Sequence, residues 1–125
     1  MKSNSTKNVL LIDGDPTTRD ELLRHLESLG CKVVTADNGL EGLEICQNES
    51  FQLIVLDLSI PVINGVELIG RIRVFDRKTP IGVASSNALN ADDRKFIEPL
   101  TSFIIRKSEG LAVPADHVKA TFKAA

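Results

Sequence analysis

Segments with strand character and segments with helical periodicity alternate along this chain. The stretch at 53–56 reads LIVL, an unbroken apolar run of the kind that is buried on both faces of a parallel sheet. Leucines at positions 22, 23, 26 and 29 instead repeat at helical spacing, and Gly30 ends that helix. Such alternation predicts right-handed βαβ units, with parallel strands at residues 9–12, 32–36, 53–56, 81–84 and 103–105.

Five helices are expected between and after these strands. Asp15 and Pro16 form an N-cap followed by proline at the first helical position, so the first helix begins there. The buried face of the second helix is predicted to consist of Leu40, Leu43 and Cys46. Apolar residues at 66, 69 and 72 indicate the third helix, the fourth covers 90–97, and a weaker fifth covers 114–124.

Length and composition are typical of a globular protein with one domain. The chain has 125 residues, of which 42% are hydrophobic and 26% charged, and a formal net charge of −2. We expect a flexible N-terminal tail at 1–7, one folded domain at 8–125 and a cytoplasmic location. The sequence offers no basic patch and no long apolar segment, so we expect neither direct nucleic-acid binding nor membrane insertion. Cys31 and Cys46 match no metal or redox motif and are predicted to be small buried thiols.

The residues that follow or close four of the predicted strands have side chains suited to phosphate or cation chemistry. They are Asp13, Asp57, Ser85 and Lys107. In open α/β sheets, ligands bind beyond the carboxyl ends of the strands, where the strand order reverses. In the order 2-1-3-4-5 the first and third strands are neighbours, so two carboxylates, a hydroxyl and an ammonium group converge there. This convergence makes Asp57 a candidate nucleophile in a cation-dependent site.

Several motifs, taken in order, resemble the receiver domain of two-component response regulators. They are LLIDGDP, DNGLEGLE, LDLSIPVING, PIGVASSNAL and FIIRKS. The DLSIPVING stretch is similar to the family's D-x-x-x-P-x-x-x-G pattern, and the resemblance extends from Asn8 to about Phe122. It implies a flavodoxin-like α/β fold, a three-layer sandwich with a five-stranded parallel sheet of order 2-1-3-4-5 and five helices.

The resemblance also implies a role for each matching residue. Asp57 would accept a phosphoryl group from a histidine kinase, a phosphotransfer protein or a small phosphodonor. Mg²⁺ would be held by Asp13, Asp57 and the backbone carbonyl of Ser59. Lys107 would pair with Asp57 at rest and with the phosphoryl oxygens afterwards. Ser85 would bind the phosphoryl group and transmit the state of the site to the surface.

The chain departs from the family pattern at several of these positions. Gly14 stands where a second metal-binding acid is usual, which should weaken Mg²⁺ binding. Asp15 is an alternative ligand, although capping of the first helix is favoured for it. Ser85 replaces the commoner threonine, Ile104 stands at the position of a frequent Tyr or Phe, and Ser108 replaces a frequent proline.

Structural roles are the alternative for each of these residues. Asp57 would then be a strand-end carboxylate that caps a loop, Asp13 a simple loop carboxylate, Lys107 an ordinary solvated lysine and Ser85 a loop residue. Arg106 would be the better-placed cation if the register of the fifth strand shifted by one residue. Phe103 is expected to face the opposite side of its strand from residue 104 and so not to substitute for the missing aromatic side chain.

Three functional hypotheses follow from different classes. The first is a phosphorylatable receiver, not an enzyme beyond self-phosphorylation and self-dephosphorylation, which signals to an effector protein or an attached output domain. The second is a phosphorylation-independent pseudo-receiver that acts as a protein–protein interaction module. The third, an unrelated flavodoxin-like enzyme or flavin carrier, is disfavoured because no Ser/Thr-rich phosphate loop follows the first strand. Among the partners, a second copy of the chain is also considered, in a homodimer through the face formed by the fourth helix, fifth strand and fifth helix.

Overall fold

The computed structural model describes residues 7–86, 88–109 and 118–122 and contains a five-stranded parallel sheet. The strands lie in the order β2-β1-β3-β4-β5, which confirms the predicted topology. Each strand begins and ends within two residues of the predicted positions. The strands are β1 Lys7–Ile12, β2 Cys31–Ala36, β3 Leu53–Leu56, β4 Ile81–Ser85 and β5 Phe103–Arg106.

Four helices begin at residues whose side chains cap them. The helices are α1 Pro16–Ser28, α2 Gly39–Asn48, α3 Gly65–Phe75 and α4 Ala91–Ile97. A side-chain oxygen of the preceding Asp or Asn accepts a hydrogen bond from a backbone N–H in the first turn of each helix. The capping residues are Asp15, Asn38, Asn64 and Asn90. Two 3₁₀ turns, Glu98–Leu100 and Lys107–Glu109, flank β5, and residues 118–122 are helical.

Alternating strand residues divide the interior into two cores, one on each face of the sheet. Leu10 and Ile12 of β1 pack in the core that includes buried residues of α2, α3 and α4. Val9 and Leu11 belong to the other core, which includes residues of α1 and the buried Val118. The sheet therefore lies between two helical layers, as a period of two along each strand requires.

The buried face of α2 differs from the prediction. Leu43 is buried, but Leu40 is exposed and Cys46 is only half-buried, because Gly39 and Gly42 face the interior. A Cβ atom at Gly42 would lie 2.5 Å from Cδ1 of Ile12, so the helix backbone packs directly on the sheet at this glycine. Burial raises the pKa of the Cys46 thiol to about 12, which leaves it a neutral packing group.

Parts of two predicted segments lie outside the described residues. Residues 1–6 of the expected N-terminal tail belong to this group, whereas position 7 is the first residue of β1. Of the helix predicted at 114–124, residues 118–122 are described and are helical. Val118 is buried, and the partly buried Phe122 packs against the same core. No helix in the described part of the chain is long and apolar enough to cross a membrane.

The guanidinium group of Arg73 connects the end of α3 to the segment that leads into β5. Its Nε and Nη2 atoms donate to the carbonyl oxygen of Leu100 at 3.1 and 2.9 Å, and Nη1 donates to that of Asp76 at 2.9 Å. These bonds form at the end of the sheet where β4 and β5 begin. The candidate functional residues lie at the opposite end, where the strands finish. The end of α3 and the segment before β5 are thereby held together by one half-buried side chain.

Val62 has an unfavourable backbone conformation in the loop between β3 and α3. Its φ angle is +75°, in the left-handed region, and its side chain is 73% exposed. Branching at Cβ makes this region costly for valine, and little burial offsets the cost.

Val62→Asn should therefore stabilise the protein, because asparagine tolerates the left-handed region. We expect the free energy of unfolding, measured by urea denaturation, to rise by about 1 kcal/mol. Val74→Asn is a matched control, because Val74 is also highly exposed but lies inside α3. That control should give no gain, and equal or lower stability of Val62→Asn would contradict the strain at position 62.

Candidate functional site

The backbone of the sheet places Asp13 and Asp57 side by side. Ile12 and Leu56 are register partners in the parallel pair of β1 and β3, so the next residue on each strand lies at the same edge. The N–H of Asp57 donates to the carbonyl of Ile12 at 2.9 Å, and that of Asp13 to the carbonyl of Ala36 at 3.0 Å. Both residues are buried, with 1% exposure for Asp13 and 5% for Asp57. Two carboxylates in such a position require a shared positive charge.

Lys107 provides that charge. Its Nζ atom donates to Oδ2 of Asp13 at 2.8 Å and to Oδ2 of Asp57 at 3.0 Å. The side chain is 7% exposed and comes from the 3₁₀ turn directly after β5. Burial lowers the pKa of Lys107, but its hydrogen bonds and charge interactions with the two carboxylates outweigh this and raise it above the ordinary value. The alternative cation, Arg106, is exposed on β5.

Backbone N–H groups fix the second oxygen of each carboxylate. The N–H of Asp15 donates to Oδ1 of Asp13 at 2.9 Å, and the N–H of Ser59 donates to Oδ1 of Asp57 at 3.0 Å. Each carboxylate thus has one oxygen oriented by the loop that follows its strand and one oriented by Lys107. The site is preorganised, because neither group is free to rotate without breaking a hydrogen bond.

Two residues at this site were not identified from the sequence. The Thr18 hydroxyl accepts a hydrogen bond from Nζ of Lys107 at 2.9 Å and lies 3.2 Å from Oδ2 of Asp13. Nη1 of Arg19 donates to the carbonyl oxygen of Asp13 at 3.0 Å. Both belong to the first turn of α1, which starts close to the end of β1. The Asp15 cap and Pro16 place them near the end of β1, but no local sequence signal indicates the contact between Thr18 and Lys107.

Ser85 ends β4, the strand next to β3, and therefore lies at the same end of the sheet as Asp57. The Ser85 side chain is 3% exposed at the end of β4, and with Ser59 it lines a groove of about 640 Å³ between α3 and α4. Ile104 packs against the core on the same side as α3 and α4. Phe103 belongs to the opposite core, which confirms the expected orientation, and its ring occupies the space where Gly82 has no side chain.

The oxygen atoms available for a metal ion are fewer than the family pattern would give. Asp13 and Asp57 supply two converging carboxylates. The Asp15 carboxylate is exposed and accepts a hydrogen bond from the N–H of Thr17 at 3.1 Å, the capping role favoured by the sequence. Within the described residues, no group of three or more His, Cys, Asp or Glu side chains is placed to hold a metal. Two carboxylates fit Mg²⁺, which retains several waters, but they predict weak binding.

A family model described as the response regulator receiver domain matches residues 9–114. The chain belongs to this family. It is a receiver domain of the response regulators of two-component signalling. Both the fold class and the family resemblance predicted from the sequence are thereby confirmed.

Relatives of this receiver include chains of very different length. An uncharacterized 14.6 kDa protein from the sodA1 3′ region of Leptolyngbya boryana is 34% identical over 130 residues, covering 93% of this chain and 99% of the relative. The sensor histidine kinase RcsC of Salmonella typhimurium is 27% identical over 128 residues, covering 95% of this chain but 13% of the kinase. The cell cycle transcriptional regulator CtrA of Caulobacter vibrioides is 35% identical over 80 residues, covering 64% of this chain and 35% of the regulator.

Solved structures share the fold of this receiver at low sequence identity. The CheY-like receiver domain protein of Methanospirillum hungatei JF-1 has a TM-score of 0.87 and 23% identity, covering 97% of this chain and 100% of that one. The receiver domain of the sensor histidine kinase PA1611 of Pseudomonas aeruginosa PAO1 has a TM-score of 0.76 and 23% identity, covering 86% and 90%. That structure is described with a magnesium ion coordinated in its active site cleft.

Lys107→Ala should lower the free energy of unfolding by about 3 kcal/mol at neutral pH, because two buried carboxylates lose their shared cation. Urea denaturation followed by circular dichroism measures this change. Arg106→Ala removes the neighbouring, exposed cation and should change stability by no more than about 0.5 kcal/mol. Equal losses in the two variants would show that Lys107 has no special electrostatic role.

The stabilisation by Lys107 should also have a defined pH range. Because the folded-state pKa lies above the ordinary lysine value of 10.5, the contribution is complete below that value and is lost as the pH rises through the folded-state pKa. The difference in unfolding free energy between wild type and Lys107→Ala should stay constant near neutral pH and shrink in strongly alkaline solution. A difference that grew with alkaline pH would contradict the sign of the shift.

Proposed function

We propose that this receiver accepts a phosphoryl group on Asp57 and that the modification switches its partner interactions. The observation that supports the proposal is the buried Asp57 carboxylate, which lies beside Asp13 and accepts a hydrogen bond from Lys107 at 3.0 Å. A buried acid next to a second acid and a fixed ammonium group is suited to reaction with an anion. We also propose that residues 8–125 form one receiver domain.

The reaction forms one bond and breaks another. A carboxylate oxygen of Asp57 attacks the phosphorus atom of a phosphohistidine or of a small donor such as acetyl phosphate. The P–N or P–O bond of the donor breaks, its electron pair leaves with the donor, and the product is an aspartyl phosphate. Because the attack brings two anions together, the ammonium group of Lys107 lowers their repulsion and faces the phosphoryl oxygens afterwards.

Magnesium, when bound, would neutralise further charge on the phosphoryl group. Asp13, Asp57 and the backbone carbonyl of Ser59 would hold the ion, and water would complete its coordination. Gly14 adds no carboxylate, so this receiver should bind Mg²⁺ more weakly than one with two adjacent acids. Asp15 remains engaged as the cap of α1.

Ser85 would convert the chemical change into a change of shape. Its hydroxyl would bind a phosphoryl oxygen after transfer and draw the loop at 85–89 towards the site. Ile104 offers no aromatic ring to rotate, so the response would travel mainly through this loop to the N-terminal end of α4. The groove between α3 and α4 begins at Ser59 and Ser85 and would change with it.

The proposed switch needs one partner that phosphorylates the receiver and another that responds to the phosphorylated form. A histidine kinase or a phosphotransfer protein would supply the phosphoryl group. An effector protein or an attached output domain would respond to it, and a homodimer through α4, β5 and the helix at 118–122 is a third arrangement. The relatives named as a sensor kinase and a transcriptional regulator agree with both kinds of context.

A second candidate is a pseudo-receiver that binds partners without phosphorylation. Gly14 favours it, because the loss of one carboxylate weakens the metal site on which rapid phosphoryl transfer depends. In this case Lys107 would serve only to neutralise Asp13 and Asp57 in a stable docking module.

Incubation with Mg²⁺ and acetyl phosphate should add one phosphoryl group to the wild-type protein, as measured by intact mass. Asp57→Asn should remain unmodified, because an amide is not a nucleophile of this kind. Asp20→Asn removes an exposed carboxylate on α1 and should react like the wild type. No added mass on the wild-type protein would support the pseudo-receiver instead.

Gly14→Asp should tighten Mg²⁺ binding by about tenfold, because the third carboxylate adds a charged ligand. A Cβ atom at this position would lie 3.1 Å from Cδ of Pro61 and 3.3 Å from the Asp37 carbonyl oxygen, so a shift of a few tenths of an ångström suffices. Gly14→Asn has nearly the same size without the charge and separates packing from electrostatics. Titration with Mg²⁺, followed by amide chemical shifts, measures the affinity. Equal affinities of Gly14→Asp and wild type would contradict a missing ligand at position 14.

A further inference from the structure

The ammonium group of Lys107 has three hydrogen-bond acceptors. They are Oδ2 of Asp13 at 2.8 Å, Oγ1 of Thr18 at 2.9 Å and Oδ2 of Asp57 at 3.0 Å. A lysine ammonium group has three N–H donors and no acceptor. All three donors are therefore engaged. Two bond to the carboxylates of Asp13 and Asp57, and the third bonds to the hydroxyl group of Thr18.

The start of α1 brings the Thr18 hydroxyl to this position. The Asp15 cap and Pro16 fix the first turn of the helix, and Thr18 is half-buried on the side of the strand ends. Its oxygen lies 3.2 Å from Oδ2 of Asp13 and 3.5 Å from the carbonyl oxygen of Asp15. A hydroxyl can donate one hydrogen bond while it accepts another, so Thr18 can donate to Asp13 while it accepts from Lys107.

An ordinary role for Thr18 would be a local hydrogen bond to the backbone of the same helical turn. That contact, at 3.5 Å to the Asp15 carbonyl, is at the outer limit for a hydrogen bond, whereas the contact with Lys107 is 2.9 Å. Hydrogen bonds to a charged group are also stronger than neutral ones. The distances and the charge both favour the interaction with Lys107.

We infer that Thr18 is a positioning residue that holds the Lys107 ammonium group between Asp13 and Asp57. The inference rests on the proposed function, because the same ammonium group would meet the phosphoryl oxygens. Because Gly14 supplies no acid, the carboxylates of the pocket are those of Asp13 and Asp57. The firmly held ammonium group of Lys107 is the main positive charge that contacts both of them. By restraining it, Thr18 also makes Lys107 a stronger competitor of a divalent cation for these oxygens.

The direct test observes the lysine ammonium protons by NMR on ¹⁵N-lysine-labelled, unphosphorylated protein without Mg²⁺. In the wild type, the Lys107 signal, assigned by its loss in Lys107→Met, should be protected from exchange with water. Thr18→Val removes the hydroxyl at nearly constant volume and should accelerate that exchange by about tenfold, because one charge-assisted hydrogen bond is lost. Thr18→Ser should restore the protection, and Thr17→Val, at an exposed neighbouring position, should leave it unchanged.

The second measurement is the affinity for Mg²⁺ alone, from amide chemical shifts. Thr18→Val should bind Mg²⁺ between about twofold and tenfold more tightly than the wild type, because Lys107 competes less well. Thr18→Ser should bind like the wild type. An unchanged affinity in a Thr18→Val variant with accelerated ammonium exchange would refute the competition.

Wild-type exchange rates for the Lys107 ammonium group in Thr18→Val would overturn the positioning role itself. If the valine variant does not fold, Thr18→Ala provides the same comparison. Neither measurement requires phosphorylation, so a failure of Asp57 to accept a phosphoryl group would leave both results interpretable. The two proposals can therefore fail separately.

Discussion

The contact of one ammonium group with two buried carboxylates is the interaction on which this site depends. Asp13 and Asp57 follow the neighbouring strands β1 and β3, and Lys107 follows β5, a strand at the edge of the sheet. The strand order brings the two acids together, and their burial would be unfavourable without the lysine. The same three residues neutralise one another at this end of the sheet and would supply the charges for the proposed phosphoryl transfer, so one cluster would link stability to function.

Much of this arrangement follows from local sequence patterns. The apolar run at 53–56 and the residues that follow each strand predict the parallel sheet and the convergence of Asp13, Asp57 and Lys107, because parallel strands present their carboxyl ends at one edge. Leu40 was misplaced because helical periodicity assumes that larger apolar residues face inward. Here Gly42 instead allows α2 to approach Ile12 closely. Thr18 was missed because its partner Lys107 lies 89 positions away, a contact that no local pattern contains.

The departures from the family pattern change the balance of charges more than the fold. With Gly14, the pocket has two carboxylates and one ammonium group, so it is less negative at rest than a receiver with a further acid. The exchange of an aromatic residue for Ile104 does not empty the core, because Ile104 packs on its own side and the Phe103 ring lies against Gly82 on the other. The chain thus keeps the receiver fold with Gly14 in place of an acid in the pocket and an aliphatic side chain at position 104.

The bonds made by Arg73 join α3 to the segment that follows α4. Leu100, which closes the 3₁₀ turn after α4, is bonded to Arg73 of α3 twice, and Ile97, the last residue of α4, is fully buried. The C-terminal end of this helix is therefore anchored by burial and through α3, whereas its N-terminal end begins at the Asn90 cap. Under the proposed switch, a displacement at the pocket would move the end near Asn90 more than the end near Phe96. A partner that responds to phosphorylation would then be expected to contact the N-terminal end of α4.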